Sequence, residues 1–162
     1  MYIQRIHTRD DLSVIAALAE EIIPDYYRSF LPMDQIRFFI DHYQSLPALL
    51  EQVQNNFEYY LVTDAGVPVA YLGLEIKKDM IWLSKIYIRS LYRGKGIGKT
   101  LLELAKFRAV ELQLSCIELF VVKGNQPAID FYRKQGYTFV NTIANAYDSG
   151  YTVTEYRMRN NC

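Results

Sequence analysis

The chain has 162 residues, 51% hydrophobic and 22% charged, which is enough to bury one sizeable core and excludes an intrinsically disordered chain. Its 18 basic and 18 acidic residues cancel, so no overall basic field exists to gather nucleic acid. No apolar run approaches the ~20 residues that span a bilayer, so no membrane partner is expected.

The first residues, Met1 to Asp11, lack the basic-then-apolar order of a signal peptide. Thr8 to Asp11 instead fits a helix start, with Asp11 near the positive end of the dipole. Leu12, Ile15, Ala16, Ala19 and Ile23 then recur at helical spacing, and Pro24 is expected to end or kink that helix. A second helical segment follows Pro32, with Ile36, Phe39, Ile40 and Tyr43 on one face. Pro47 breaks it, and residues 48–56 form a further short helical piece.

The period then changes. Residues 58–64, 67–76 and 80–88 are β-rich, and Ala65-Gly66 marks a turn, so an antiparallel meander is expected. Residues 96–114 are the strongest helical stretch, with Leu101, Leu102, Ala105, Ala109 and Leu112 as its buried stripe. Residues 116–122 read as a strand, reached by a right-handed crossover and therefore parallel to its neighbour. Asn125 caps a last helix that Gly136 closes, and the remainder reads as a hairpin turning at residues 148–150. Neither linker nor repeat divides the chain. One domain over 1–162 is expected, an α/β fold (α+β mixed sheet) in which helices cover both sheet faces. Cys116, inside a strand, and Cys162 make neither a disulfide framework nor a metal motif. A reducing cytosol and no metal are therefore expected.

Residues 92–100 read Tyr-Arg-Gly-Lys-Gly-Ile-Gly-Lys-Thr. The Gly-Lys-Thr ending suggests a nucleotide P-loop, but that motif needs glycine where Arg93 stands. The Rossmann fingerprint fails too, because its third glycine would fall on Lys99. What remains is a glycine-rich turn between a strand and a helix. Such a turn brings free N–H groups and a helix dipole to an anion, here with Arg93, Lys95 and Lys99 adding positive charge. A diphosphate is the expected ligand.

Two segments together carry a resemblance. Arg93-Gly94-Lys95-Gly96-Ile97-Gly98 resembles the Arg/Gln-x-x-Gly-x-Gly/Ala motif of the GCN5-related N-acetyltransferase family. Asn125, Ala128, Phe131, Tyr132, Gly136 and Tyr137 match its second signature. The specific part covers residues 83–137, and the outline extends over the chain. The resemblance implies a meander followed by a splayed parallel strand pair, with acetyl-CoA as cosubstrate. Its pyrophosphate would lie on Arg93, Gly94, Lys95, Gly96, Ile97, Gly98 and Lys99. Its pantetheine arm would pair with the main chain of Ile86, Tyr87 and Ile88 and meet Asn125 and Ala128. Lys134 is placed for a nucleotide phosphate. Tyr132 would serve the departing sulfur, and a strand N–H near Ile88 would polarise the carbonyl.

A proton must also leave the attacking amine. Relatives place a glutamate on the strand before the glycine loop, whereas residues 80–85 here hold no carboxylate. Glu75 is the candidate base, with Asp79 and Glu118 behind it. Glu118 alternates with Leu119 and reads as solvent-facing. A water relay held by Ser84 and tyrosines is the alternative. The helical first half resembles the bacterial polyamine-acetylating subgroup. Its acids Glu20, Glu21, Asp25, Asp34 and Asp41, interleaved with Tyr26, Tyr27 and Phe30, could receive a cationic amine or simply form a solvated face. A small-molecule acceptor, a polyamine or diamine, is therefore expected. A protein N-terminus, a lysine side chain, an amino sugar or a non-catalytic acyl-CoA sensor stay open, as does monomer or homodimer.

Overall fold

A computed structural model describes residues 1–162. A seven-stranded sheet runs through it in the order β1-β2-β3-β4-β5-β7-β6. Its strands are β1 (Tyr2–Ile6), β2 (Phe57–Asp64), β3 (Val67–Ile76), β4 (Met80–Ile88), β5 (Cys116–Val122), β6 (Thr138–Ala146) and β7 (Thr152–Asn161). Helices α1 (Arg9–Tyr27), α2 (Met33–Tyr43) and α3 (Leu46–Gln54) cover one face, α4 (Ile97–Glu111) and α5 (Gln126–Lys134) the other. Each face buries its own apolar cluster. Leu12, Ile15, Ile36, Leu49 and Tyr71 lie under the first three helices, and Leu72, Leu74, Leu101, Ala105 and Ile117 lie under α4.

The local signals act where they were expected. The Thr8 hydroxyl accepts from Asp11 N–H at 3.2 Å, and Asn125 Oδ1 accepts from Ala128 N–H at 3.4 Å. Gly136 follows α5 at φ +94°. Pro24 does not end α1, which runs on to Tyr27; the Pro24 carbonyl takes Arg28 N–H at 3.1 Å. Pro47 lies in the first turn of α3, where its missing N–H costs nothing, and Ser45 caps that helix. Strand β1 carries no alternating signal, since only Ile6 is buried, and it forms by pairing with β2.

Two irregularities in β4 open the molecule. Gly73 pairs with Lys85 and Leu74 with Leu83, so Ser84 is an extra residue, a β-bulge. The bulge switches side-chain parity: Leu83 and Ile86 pack toward α4, whereas Tyr87 packs beneath α1–α3. On the other side, β4 and β5 pair in parallel only over Met80–Trp82 with Cys116–Glu118. Beyond Trp82 the two strands part.

Candidate active site

Where β4 and β5 separate, three spaces join. A cleft of about 690 Å³ lies over the glycine loop and α5, between Tyr26, Ile86, Ile88, Arg93, Asn125 and Tyr132. A throat of about 50 Å³ passes between the strands at Ser84, Ile86, Phe120, Val122 and Tyr132. It leads to a second pocket of about 340 Å³ on the α1–α3 side.

The glycine loop is built to leave N–H groups free. Gly94 and Gly96 take φ +72° and +88°, and Gly96 turns the chain into α4. No main-chain N–H from Gly94 to Lys99 donates to a carbonyl. They gather at a helix N-terminus, which favours an anion. Gly98 is needed for closeness: a Cβ there would lie 3.0 Å from Phe131 Cζ. Arg93 donates from Nε to the Ile88 carbonyl at 3.0 Å and stacks over the Tyr26 ring at 5.3 Å. Lys99 lines the cleft, while Lys95 lies over the Tyr92 ring. Ile97 buries its side chain in the core, and Lys134 is exposed on α5 outside the cleft lining. The Thr100 hydroxyl bonds back to the Gly96 carbonyl at 3.1 Å, which places Lys99-Thr100 in the first turn of α4.

The exposed edge of β4 alternates. Arg89 N–H donates to the Val69 carbonyl, so Tyr87 and Arg89 turn their main-chain groups toward β3. Ile86 and Ile88 turn theirs toward the gap. The Ile88 carbonyl receiving Arg93 from that side agrees. Of the three residues expected to offer main-chain groups there, Tyr87 instead contributes its buried ring, whose hydroxyl meets Tyr27 Oη at 3.0 Å.

Tyr132 is buried at 9% exposure and lines both cleft and throat. Burial raises its pKa above that of a free tyrosine, so it is a neutral hydroxyl donor across the working range. Asn125 uses both ends of its side chain. Its oxygen caps α5, and its nitrogen donates to Tyr26 Oη at 2.6 Å.

The second pocket is aromatic, with Tyr27, Phe39, Tyr43, Trp82 and Tyr147 among its walls. Trp82 and Phe120 meet at 4.4 Å across the strand parting. Three charged side chains line the pocket: Glu75, Lys85 and Glu155. Glu155 is buried without a cationic partner; its Oε1 accepts from Asn145 at 2.7 Å and from the Tyr147 hydroxyl at 2.9 Å. The turn between β6 and β7 is tied to the start of α2 by the Tyr151–Asp34 hydrogen bond.

Glu75 and Lys85 both line this pocket, and neither lines the throat. Glu118 does not face solvent: it is buried at 5% exposure between Arg157 and Arg159, at 3.1 and 2.6 Å. Those ion pairs brace β5 against β7 and remove Glu118 from the chemistry. Lys85 and Glu155 are the site residues the sequence reading passed over, and Tyr26, expected on an acceptor-facing helix stretch, lies instead in the cleft over the glycine loop. Lys85 had a signal, because it falls at a buried position of an otherwise apolar strand. Glu155 had none, since only the assembled sheet brings β7 under α2.

Known proteins agree with this architecture. The profile of the acetyltransferase (GNAT) family matches residues 15–137. An L-ornithine N5-acetyltransferase of Arabidopsis thaliana is 36% identical over 61 residues, 38% of this chain and 27% of that protein. A streptothricin acetyltransferase of Escherichia coli is 37% identical over 60 residues, 37% of this chain and 34% of that protein. The chain thus aligns with about a third or less of the length of these curated relatives. The PaiA N-acetyltransferase of Thermoplasma acidophilum, solved in complex with coenzyme A, has the same fold. The TM-score is 0.81 at 20% identity, and the match covers 100% of both chains.

Proposed function

This chain belongs to the acetyltransferase (GNAT) family, and on that premise we propose that it transfers the acetyl group of acetyl-CoA to a small primary amine, a diamine or polyamine by preference. The observation that carries this reading is the throat. It joins an anion-binding cleft to a pocket with unpaired carboxylates, so a thioester held on one side can meet an amine held on the other.

In this reading the cofactor's pyrophosphate lies on the free N–H groups from Gly94 to Lys99, with Arg93, Lys95 and Lys99 supplying charge. Lys134 adds its charge from the exposed face of α5. The pantetheine arm pairs with the gap-facing main chain of Ile86 and Ile88 and runs past Asn125 and Ala128. Ile86 lies at the throat, and its N–H polarises the thioester carbonyl. Tyr132 donates a hydrogen bond to the departing sulfur. Its raised pKa makes it a holder of the thiolate rather than a strong proton source.

The acceptor enters the aromatic pocket. Glu155, buried and without a cation, binds its distal ammonium, and Glu75 draws the second positive group inward. The naming of one relative for the N5 position of ornithine, a molecule with two amino groups, supports a small acceptor.

Direct transfer requires both substrates bound together. Initial rates at varied acetyl-CoA and diamine should give intersecting double-reciprocal lines. Parallel lines would mean a covalent acetyl-enzyme and would contradict direct attack. Tyr132→Phe should lower kcat about tenfold or more while CoA affinity holds.

A further inference from the structure

Lys85 is 3% exposed, lies on β4 directly after the Ser84 bulge, and lines the acceptor pocket. It makes no salt bridge. Its Nζ donates to Gln52 Oε1 at 2.8 Å and to Tyr59 Oη at 2.6 Å, and the Tyr59 hydroxyl in turn donates to the same Gln52 oxygen. The opposite position on β3 is Gly73, where a Cβ would lie 2.9 Å from the Tyr59 ring and 3.3 Å from Lys85 Cβ. The absent side chain leaves room for the lysine stem and the ring to meet.

This arrangement suits an amine, not an ammonium. A neutral lysine Nζ has two N–H donors and one lone pair. Gln52 and Tyr59 accept both donors, and Tyr59 has spent its own hydrogen on Gln52, so the lone pair stays unclaimed. A protonated Nζ would bury a third N–H for which no oxygen partner is present, and the Phe57 and Tyr59 rings, 5.0 and 5.2 Å away, offset only part of that cost.

We propose that Lys85 is the general base of the transfer, standing in for the carboxylate that β4 lacks, and that it accepts the proton of the acceptor ammonium directly or through one water. This rests on the acetyl-transfer reading above. The acceptor R–NH₃⁺ gives one proton to Nζ. The freed amine forms the C–N bond at the thioester carbonyl, and the C–S bond breaks with its electron pair on sulfur. The nitrogen's surplus proton passes to that sulfur, giving amide and free thiol. Lys85 then returns its proton to solvent through the pocket.

The titratable neighbours are Tyr59 from β2, Glu75 from β3, Tyr27 from α1, Tyr43 from α2, Tyr87 on β4 itself, and Tyr147 and Glu155 from the hairpin. Burial brings Lys85 down to about 7, with Glu75 pulling the other way, so its lone pair is available near neutral pH.

The test is the pH dependence of kcat/KM in wild type, Lys85→Met and Lys85→Arg, each checked for CoA binding and folding. Wild-type activity should rise through a transition near neutrality. Both variants should lose about a hundredfold or more at neutral pH. That deficit should shrink toward pH 10, as acceptor arrives already deprotonated. A Lys85→Arg enzyme of wild-type activity, or a deficit constant with pH, overturns the assignment. Should the variants fail to fold, the ¹³Cε signal of Lys85 in the wild type decides the matter. Titration near neutrality is the expected result, and a lysine protonated to pH 10 beside normal turnover overturns this assignment alone. A wild type without turnover on any amine overturns the activity reading and this assignment with it.

Discussion

The Asn125 side-chain amide donates to the Tyr26 hydroxyl at 2.6 Å, joining the end of α1 to the start of α5 beside the cleft over the glycine loop. Tyr26 also carries the Arg93 guanidinium on its ring. One tyrosine therefore positions both a cleft-lining asparagine and a loop cation. Tyr26→Phe removes the hydrogen bond and keeps the ring. CoA affinity should weaken about threefold to tenfold by calorimetry, the range of a typical single hydrogen bond. Unchanged affinity would mean that Asn125 acts only as the α5 cap.

Gly98 and Gly94 separate two reasons for glycine. A Cβ on Gly98 meets Phe131 Cζ at 3.0 Å, whereas one on Gly94 meets nothing within 4 Å but sits at φ +72°. Gly98→Ala should cost about 1–3 kcal/mol of stability by overpacking α4 against α5. It should also weaken CoA binding by moving the helix N-terminus. Gly94→Ala should cost about 1–2 kcal/mol through its backbone alone. Urea unfolding of both variants measures the difference.

If Glu155 holds the distal ammonium as proposed, its charge should separate one-ended from two-ended acceptors. Glu155→Gln keeps the side-chain shape and the Tyr147 contact but removes the charge. KM for a diamine should rise about tenfold, the scale of a charged hydrogen bond, with kcat little changed. KM for a monoamine of equal length should stay put. Equal loss for both amines would make Glu155 a structural tie within the hairpin.

Lys85 also ties stability to pH. Its folded pKa, about 7, lies below the unfolded reference of 10.5, so above pH 7 the unfolded chain binds a proton that the folded chain does not. Stability from this group therefore rises with pH between those values and is lost as pH falls through 7. The buried tyrosines have raised pKa values, so they act in the opposite sense, and only above pH 10. The difference in Tm between wild type and Lys85→Met should thus shift in favour of wild type from pH 6 to 9. A difference flat across that range would mean a lysine charged in both states.

The legible parts of the sequence were the local ones. The glycine loop, its flanking strand and helix, the Asn125 cap and Tyr132 lie within residues 83–137, where short-range chemistry dictates the conformation. The splay of β4 from β5 was implied only by resemblance, and the bulge at Ser84 left no mark, because residues 80–88 are apolar at every position but Ser84 and Lys85 and so contain no alternation in which a parity switch could be read. Lys85 was passed over for that reason, and the search for a base went to Glu75 on the next strand. Glu118 was misplaced because its neighbours in sequence alternate, while the arginines that bury it come from β7. Strand β1 had too little burial to leave a pattern. Glu155 depends on hairpin, sheet and α2 assembling around one pocket, which no local window contains.

Acetyl-CoA labelled in its acetyl group, incubated with the protein and a panel of monoamines, diamines, polyamines and peptide N-termini, tests the central claim most directly. The label should appear as an amide on one nitrogen of a diamine or polyamine, in step with thiol release and saturating in the amine. Saturable CoA binding with no labelled amide on any amine would contradict an acetyltransferase and leave an acyl-CoA-binding protein.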